Sequence, residues 1–442
     1  MREQISAAAL KVLDALHQGG FKAYLVGGGV RDLLLGHHPK DFDVATDALP
    51  DEVKNLFGRN CRLIGRRFRL AHVRMGRETV EVATFRGTAD NDQAGDDQSS
   101  ASIDKNREQV LVNHSGRIVR DNVYGDLEQD AWRRDFTVNC LYYNIEDNSL
   151  VDYTGGLEDL QQHKLRMIGD PLVRYREDPV RMLRALRFAA KLDFALDRES
   201  EIAIDQCADL LHDIPPARLY DETLKLFMTG HALKSYEQLQ RYRLFEYICP
   251  ETAACIDDIE DESGLVDRFV RQALANTDAR IAAAKAVTPA FLFAALLWEP
   301  VRRDGLAIEA QGMGAVPAID SAGLDVLTRQ VEQVALPRRY SLVAREIWGL
   351  QPRLLHPQGR KALELITRPR FRAGYDFLLL RAESGEQVGS IAGWWTKFID
   401  ANEDERLQLI AQLSKPAGNN QKKRRKRRRR PRSRQRHQVQ PV

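Results

Sequence analysis

The sequence predicts an α+β protein: a small mixed α/β head, then an all-helical neck and body, then a disordered basic tail. Three observations predict it. Short apolar runs of strand length, separated by turns, fill much of the first 150 residues. After Gly155-Gly156 the apolar residues recur at helical spacing instead. Residues 419–442, finally, hold 12 Lys/Arg and no acid.

Taken in order, Ile5, Ala8, Val12 and Leu16 recur at helical spacing, and Gly19-Gly20 ends that helix. Tyr24-Leu25-Val26 is a short apolar strand running into Gly27-Gly28-Gly29, and Val30 to Leu35 reads as one or two helical turns. Asp41 to Thr46 reads as a second strand, and Pro50 to Phe57 as a short helix with Pro near its start. Cys61 to Ile64, Leu70 to Met75 and Thr79 to Phe85 are further strands, the last two joined by a turn at Gly76-Arg77. From about residue 87 to 116 the pattern dissolves. The stretch from Asp90 to Ser102 is polar, acidic and without aromatics, which predicts a flexible insertion. Order resumes at Ile118, and Asp135 to Ile145 returns an apolar segment to the head. Helices follow at roughly 177–191, 199–211, 217–229 and 232–243 and continue to about 413, among them Phe291 to Trp298 and Leu324 to Val334. The expected division is a head at 1–150, a helical neck at 151–230, a helical body at 231–413 that guides a polymer, and a tail at 414–442.

A chain of 442 residues, 43% hydrophobic, can pack two or three domains. Its formal charge of +3 conceals segregation. Residues 1–418 carry 54 basic against 63 acidic groups, a net of −9, so a mildly acidic body precedes a cationic arm. Such an arm suits nucleic acid or another anionic surface. Cys61, Cys140, Cys207, Cys249 and Cys255 form no CxxC and read as reduced thiols, which excludes a disulfide scaffold and a zinc ribbon. The longest apolar run, Ala290 to Trp298, is too short for a bilayer, so no membrane insertion is expected. Glu3 and Asp14 interrupt any secretory pattern in residues 1–20. The expectation is a soluble, cytoplasmic protein.

The most informative segment runs from Gly27-Gly28-Gly29-Val30-Arg31-Asp32 to Lys40-Asp41-Phe42-Asp43-Val44. Residues two apart on a strand share a face, so Asp41 and Asp43 point one way while Phe42 and Val44 point into the core. Neighbouring carboxylates repel unless a cation sits between them. A hard divalent ion such as Mg²⁺ suits them, with a triphosphate and water completing its shell. Two such ions ~3.5–4 Å apart would activate a hydroxyl and steady a leaving pyrophosphate. Gly28 and Gly29 let backbone N–H groups approach phosphates closely. Alone, Asp-x-Asp is common and Gly-Gly-Gly is more often a turn. The third Gly of a dinucleotide loop and the Gly-Lys-Ser/Thr of a P-loop are both missing. The signal lies in the combination.

Further motifs follow in order: Arg133-Arg134-Asp135-Phe136-Thr137, Gly155-Gly156-Leu157-x-Asp159-Leu160, and the run from Arg176 to Phe188. Over roughly residues 20–230 the chain thus resembles the class II nucleotidyltransferases, the family of bacterial poly(A) polymerases and CCA-adding enzymes. The resemblance implies that Asp41 and Asp43 hold the metals, that Asp135 is a further active-site carboxylate, and that Arg31 and Arg134 meet the triphosphate. Glu81 competes with Asp135 for the third place, since it faces opposite to Val80 and Val82. Asp135 is preferred because it lies inside a matched motif. The plainer alternatives are an N-cap for Asp135 and a solvated strand face for Glu81.

On the expected helix at 177–191, Glu177 and Arg181 are i, i+4 and Asp178 and Arg181 are i, i+3, which alone would suggest a surface salt bridge. As a functional pair, an Asp acceptor beside an Arg donor complements the amine and ring nitrogen of adenine or cytosine. Guanine and uracil invert that order and leave polar groups unpaired. The resemblance adds Arg184 and Arg187 to the nucleotide site. The stretch Leu63 to Val73 is similar to one that distinguishes bacterial poly(A) polymerases from their CCA-adding relatives. Its Arg66, Arg67 and Arg69 around Phe68 could hold phosphates and stack on a base, while His72 reads as structural. The tail, with Lys422, Lys423, Arg424 and Arg425, would bind RNA by counterion release without sequence preference. A localisation signal or solubilising charge is its plainer reading. Together these features imply template-independent addition of AMP from ATP to RNA 3′ ends, with Mg²⁺ as cofactor. CCA addition to tRNA and a noncatalytic RNA-binding adaptor are the rivals.

Overall fold

Helix α1 (Ala7–Gln18) begins where the Ser6 side chain accepts the Ala9 N–H, and it buries Val12, Leu13 and Leu16 against the sheet. The computed structural model describes residues 1–65, 69–87, 111–112, 118–120, 123–258, 264–357 and 359–413. Most of the expected insertion at 87–116 and the tail from 414 lie outside the described residues. So do Arg66, Arg67, Lys422, Lys423, Arg424 and Arg425. Within the insertion, Leu111–Val112 pairs with Ile118–Arg120.

The strands are β1 (Ala23–Val26), β2 (Asp43–Thr46), β3 (Cys61–Ile64), β4 (Leu70–Met75), β5 (Glu78–Thr84), β6 (Leu141–Tyr143) and β7 (Leu150–Asp152). They form one sheet in the order β3-β4-β5-β2-β1-β6-β7. Only β2 and β5 run parallel within it, and their register sets Asp43 opposite Glu81. Between the strands lie α2 (Gly28–Leu34), α3 (Pro50–Phe57) and α4 (Leu127–Arg133). Strand β2 begins at Asp43 rather than Asp41, yet the alternation holds: Phe42 and Val44 are buried while Asp41 and Asp43 open to solvent.

Past the sheet come α5 (Gly156–Gln161), α6 (Pro171–Glu177), α7 (Val180–Leu192), α8 (Arg198–Cys207), α9 (Pro216–Phe227) and α10 (Ala232–Arg241). The helix expected over 177–191 is broken. Glu177 ends α6, Asp178 is extended at φ −150°, and α7 starts after Pro179. Proline disfavours helical backbone at the residue before it, so two helices meet at an angle there. The segment expected from Phe291 to Trp298 is likewise divided, into Pro289–Leu296 and Trp298–Ala310, and the one at Leu324 to Val334 is the end of Ala315–Gln333.

One hydrophobic core runs from Ile5 through the sheet and neck to Leu380. A second gathers Leu350, Leu354, Phe371, Leu378, Trp395 and Phe398, where the Trp395 indole donates to the Leu354 carbonyl at 2.8 Å. The region expected as one helical body therefore holds two clusters. No helix among the described residues is long and apolar enough to cross a membrane.

Candidate active site

The glycine loop and the acidic strand are built against one another. Gly27 has φ +76°, a conformation glycine adopts without strain, and turns β1 into α2. A Cβ there would lie 3.8 Å from Asp43 Oδ2. A Cβ on Gly29 would meet Phe42 Cδ1 at 3.3 Å and the Asp41 carbonyl at 3.4 Å. The small residues therefore let the loop lie directly over the Asp41–Asp43 segment.

On the sheet, Asp43 stands between Val26 of β1 and Glu81 of β5. Its carboxyl is pushed up to about 6, first by surrounding protein mass and then by Glu81 and Asp41, with Arg134 opposing. Among the described residues no ion pair reaches Asp41 or Asp43. Negative charge with no ion-pair partner among the described residues fits a hard divalent cation. No three His, Cys, Asp or Glu side chains among the described residues converge as a ready-made metal site. A cation here would thus draw further ligands from phosphate and water, as Mg²⁺ commonly does.

Asp135 is occupied differently. Its Oδ2 accepts from Arg184 Nε at 2.9 Å, and its Oδ1 from the Phe136 N–H at 2.9 Å. Burial alone would raise this carboxyl, but Arg184 and that backbone bond outweigh burial and hold it below the usual carboxylate range. Asp135 thereby ties the head to α7. Of the two candidates for a third carboxylate, only Glu81 is set beside Asp43 by the sheet register.

The arginines divide in the same way. Arg31 is 1% exposed and spends its donors inside the protein: Nε on Asp32 at 2.8 Å and Nη1 on Asn139 Oδ1 at 2.5 Å. Its Nη2 lies 3.4 Å from where a Gly28 Cβ would be, so it supports the loop from beneath. Direct contact with a triphosphate, expected from the sequence, does not fit that burial. Arg134 bonds Asp130 at 2.9 Å and the Tyr142 hydroxyl at 2.8 Å, and its charge reaches Asp43. Arg187 is paired with buried Glu222 at 2.7 Å. Arg31, Arg184 and Arg187 all approach the Phe188 ring, at 5.6, 5.4 and 4.3 Å from its centroid.

At the positions expected to read the base, Arg181 Nη1 bonds Glu177 Oε2 at 2.9 Å, the expected pair, although the two residues now belong to different helices. Asp178 does not pair with the Arg181 side chain. Its Oδ2 accepts from Arg218 Nη2 of α9 at 2.5 Å, because the Pro179 break turns the carboxylate toward that helix. Asp178 Oδ1 is buried with no hydrogen-bond partner among the described residues, an unmet acceptor.

Three family models match the chain: the poly A polymerase head domain over residues 23–166, the probable RNA and SrmB-binding site of polymerase A over 193–256, and the polymerase A arginine-rich C-terminus over 311–433. Poly(A) polymerase I of Haemophilus influenzae is 47% identical over 409 residues, 92% of this chain and 87% of that one. The chain belongs to the poly(A) polymerase family. A CCA-adding enzyme of Lactobacillus helveticus is 36% identical over 229 residues, about half of each chain. Poly(A) polymerases and CCA-adding enzymes also share a fold here: a CCA-adding enzyme in apo form II superimposes with a TM-score of 0.60 at 18% identity, covering 92% of this chain and 88% of that one.

Within this polymerase framework, sequence reasoning missed Arg174, Arg218 and Glu222. Arg174 Nη2 donates to the carbonyls of Arg133 and Arg134 at 2.7 Å each and so braces the motif before Asp135. Arg174 lies inside no recognised spacing, and Arg218 and Glu222 reach their partners from 40 and 35 residues away. Arg69, expected at an RNA-binding turn, is exposed and 3.7 Å from Asp51.

Proposed function

We infer that the protein is a template-independent polynucleotide adenylyltransferase, transferring AMP from ATP to RNA 3′ ends. The observation that carries this is the acidic face: Asp43 opposite Glu81, Asp41 nearby, and a glycine loop laid over them. The RNA 3′-hydroxyl oxygen forms a bond to the α-phosphorus of ATP, the bond from that phosphorus to the α,β-bridging oxygen breaks, the hydroxyl proton passes to solvent, and pyrophosphate leaves. Asp41 and Asp43 would hold Mg²⁺, with Glu81, in preference to Asp135, as the third carboxylate beside them; the ion when bound supplies positive charge at the triphosphate and favours the ionised hydroxyl. The loop at Gly28 and Gly29 gives backbone room for phosphates, with Arg31 stiffening it from below. Arg134, Arg184 and Arg187 contribute positive charge around the same anion. Most of the rate enhancement then comes from positioning and charge stabilisation.

Base choice rests on Asp178, whose unmet Oδ1 suits an exocyclic amine, with Glu177 and Arg181 beside it. Extent of similarity favours poly(A) synthesis over CCA addition: the polymerase relative aligns along nearly the whole chain, the CCA-adding one along half. Arg66, Arg67 and Arg69, with the tail from Lys422 to Arg425, would hold RNA without reading its sequence. Five unpaired, buried cysteines suit a reducing compartment, and we place the activity in the cytoplasm. The test supplies ATP or CTP separately with an unstructured RNA primer. Long ladders with ATP alone support the reading. Short additions that need CTP would replace it with CCA addition, and absence of pyrophosphate release with a noncatalytic adaptor.

A further inference from the structure

The acidic face extends past the carboxylates. Strand register continues the line Asp43–Glu81 to His72 on β4, which lies directly opposite Glu81. Side chains opposite one another on neighbouring strands share a face of the sheet. Val80, Val82, Ala71 and Val73 are buried on the other face, so Asp43, Glu81 and His72 form one row on the open side. Within that row His72 Nε2 approaches Glu81 Oε1 to 3.1 Å. The same Nε2 is shielded from solvent and makes no hydrogen bond among the described residues. A core histidine would have satisfied that atom elsewhere. Here the carboxylate is what it faces.

We propose that His72 is a positioning residue that orients Glu81 toward Asp43 for the catalytic cation; this rests on the reading of Glu81 as the third carboxylate. Glu81 stands between two unlike neighbours. Asp43 repels it, and its half-exposed side chain has many rotamers to occupy. With Nε2 3.1 Å from Oε1, the His72 ring fills the space on its side of Glu81 and restricts that freedom, which favours rotamers turned toward Asp43. Partners that hold a ligating carboxylate in this way typically affect metal affinity about 10–100-fold when removed. An ordinary cross-strand pair would contribute to sheet stability alone.

The test uses the full chain with an ATP analogue carrying a nonhydrolysable α,β-methylene bridge, and Mn²⁺ titrated by electron paramagnetic resonance. His72→Leu is expected to weaken Mn²⁺ binding about 10–100-fold and to lower kcat more than it raises the ATP KM, without a matching fall in thermal midpoint. His72→Gln, whose amide nitrogen reaches the place of Nε2, is expected to recover most of the affinity. In a Glu81→Gln background, His72→Leu should add no further loss, because the residue it positions is gone. Wild-type Mn²⁺ affinity in His72→Leu, with Glu81→Gln impaired, would overturn the role of His72 while leaving Glu81 in place. Wild-type affinity and activity in Glu81→Gln would overturn the reading of Glu81 itself, and this proposal with it.

Discussion

On the open face of the sheet, Asp41 and Asp43 carry negative charge that no ion pair among the described residues neutralises. From the head–neck seam into the neck, Asp135, Asp178 and Glu222 each already hold a guanidinium, from Arg184, Arg218 and Arg187. Both regions are rich in charge, and the difference lies in who supplies the counter-charge. Acid left unpaired is a standing cost to the folded protein, one that a bound cation would offset. Acid paired in advance costs little further and holds the helices in register. On the proposed reading, unpaired charge marks where the cation would sit, and paired charge holds the elements around it.

Substitutions in the two regions should therefore act differently. The largest effect is expected on the open face: Asp43→Asn, or Asp41→Asn, should lower nucleotide incorporation about 10³-fold or more while primer binding persists. Gel extension assays alongside RNA-binding titrations check it, and an active variant would end the metal-holding account. Next, Glu222→Gln should destabilise the fold by about 3 kcal/mol, since it removes the buried charge that pairs the largely shielded Arg187 guanidinium. Urea denaturation measures this. A smaller effect is expected for Asp178→Ala, about 10- to 100-fold in ATP kcat/KM with weakened rejection of GTP, because the amine loses its acceptor. Competition assays with paired nucleotides would show it.

The two smallest effects concern pH, and they carry opposite signs. Asp43 has a raised carboxyl, so its ionised form burdens the fold. The burden sets in as pH rises above the ordinary carboxylate range and is complete above about 6. Asp43→Asn should therefore raise the thermal midpoint at neutral pH, measured in chelator, even as it abolishes activity. Asp135 is depressed, so its contribution is present above the ordinary carboxylate range and is lost as pH falls through its lower folded value. Asp135→Asn should flatten the loss of stability on acidification relative to wild type. If both variants shifted stability in one direction, the contrast between the regions would fail.

Much of the head was legible from residue order alone. Strand runs, the Gly27 turn and the alternation Asp41-Phe42-Asp43-Val44 are local, and local spacing dictates which side chains share a face. Pro179 is equally local, but the helical spacing that runs across residues 177–191 conceals the restriction it places on Asp178. Motif membership favoured Asp135 over Glu81, and a motif records neighbours along the chain rather than neighbours in space.

Periodicity in the chain was thus sufficient to say which elements form, where the glycine loop lies, and that two aspartates face outward together. It could not say what stands beside them. The parallel pairing of β2 with β5 brings Glu81 to Asp43 across an intervening hairpin, and α9 delivers Arg218 and Glu222 to partners on earlier segments. Those meetings depend on register and on helix packing over long sequence separations, set by burial of the whole core rather than by any single stretch.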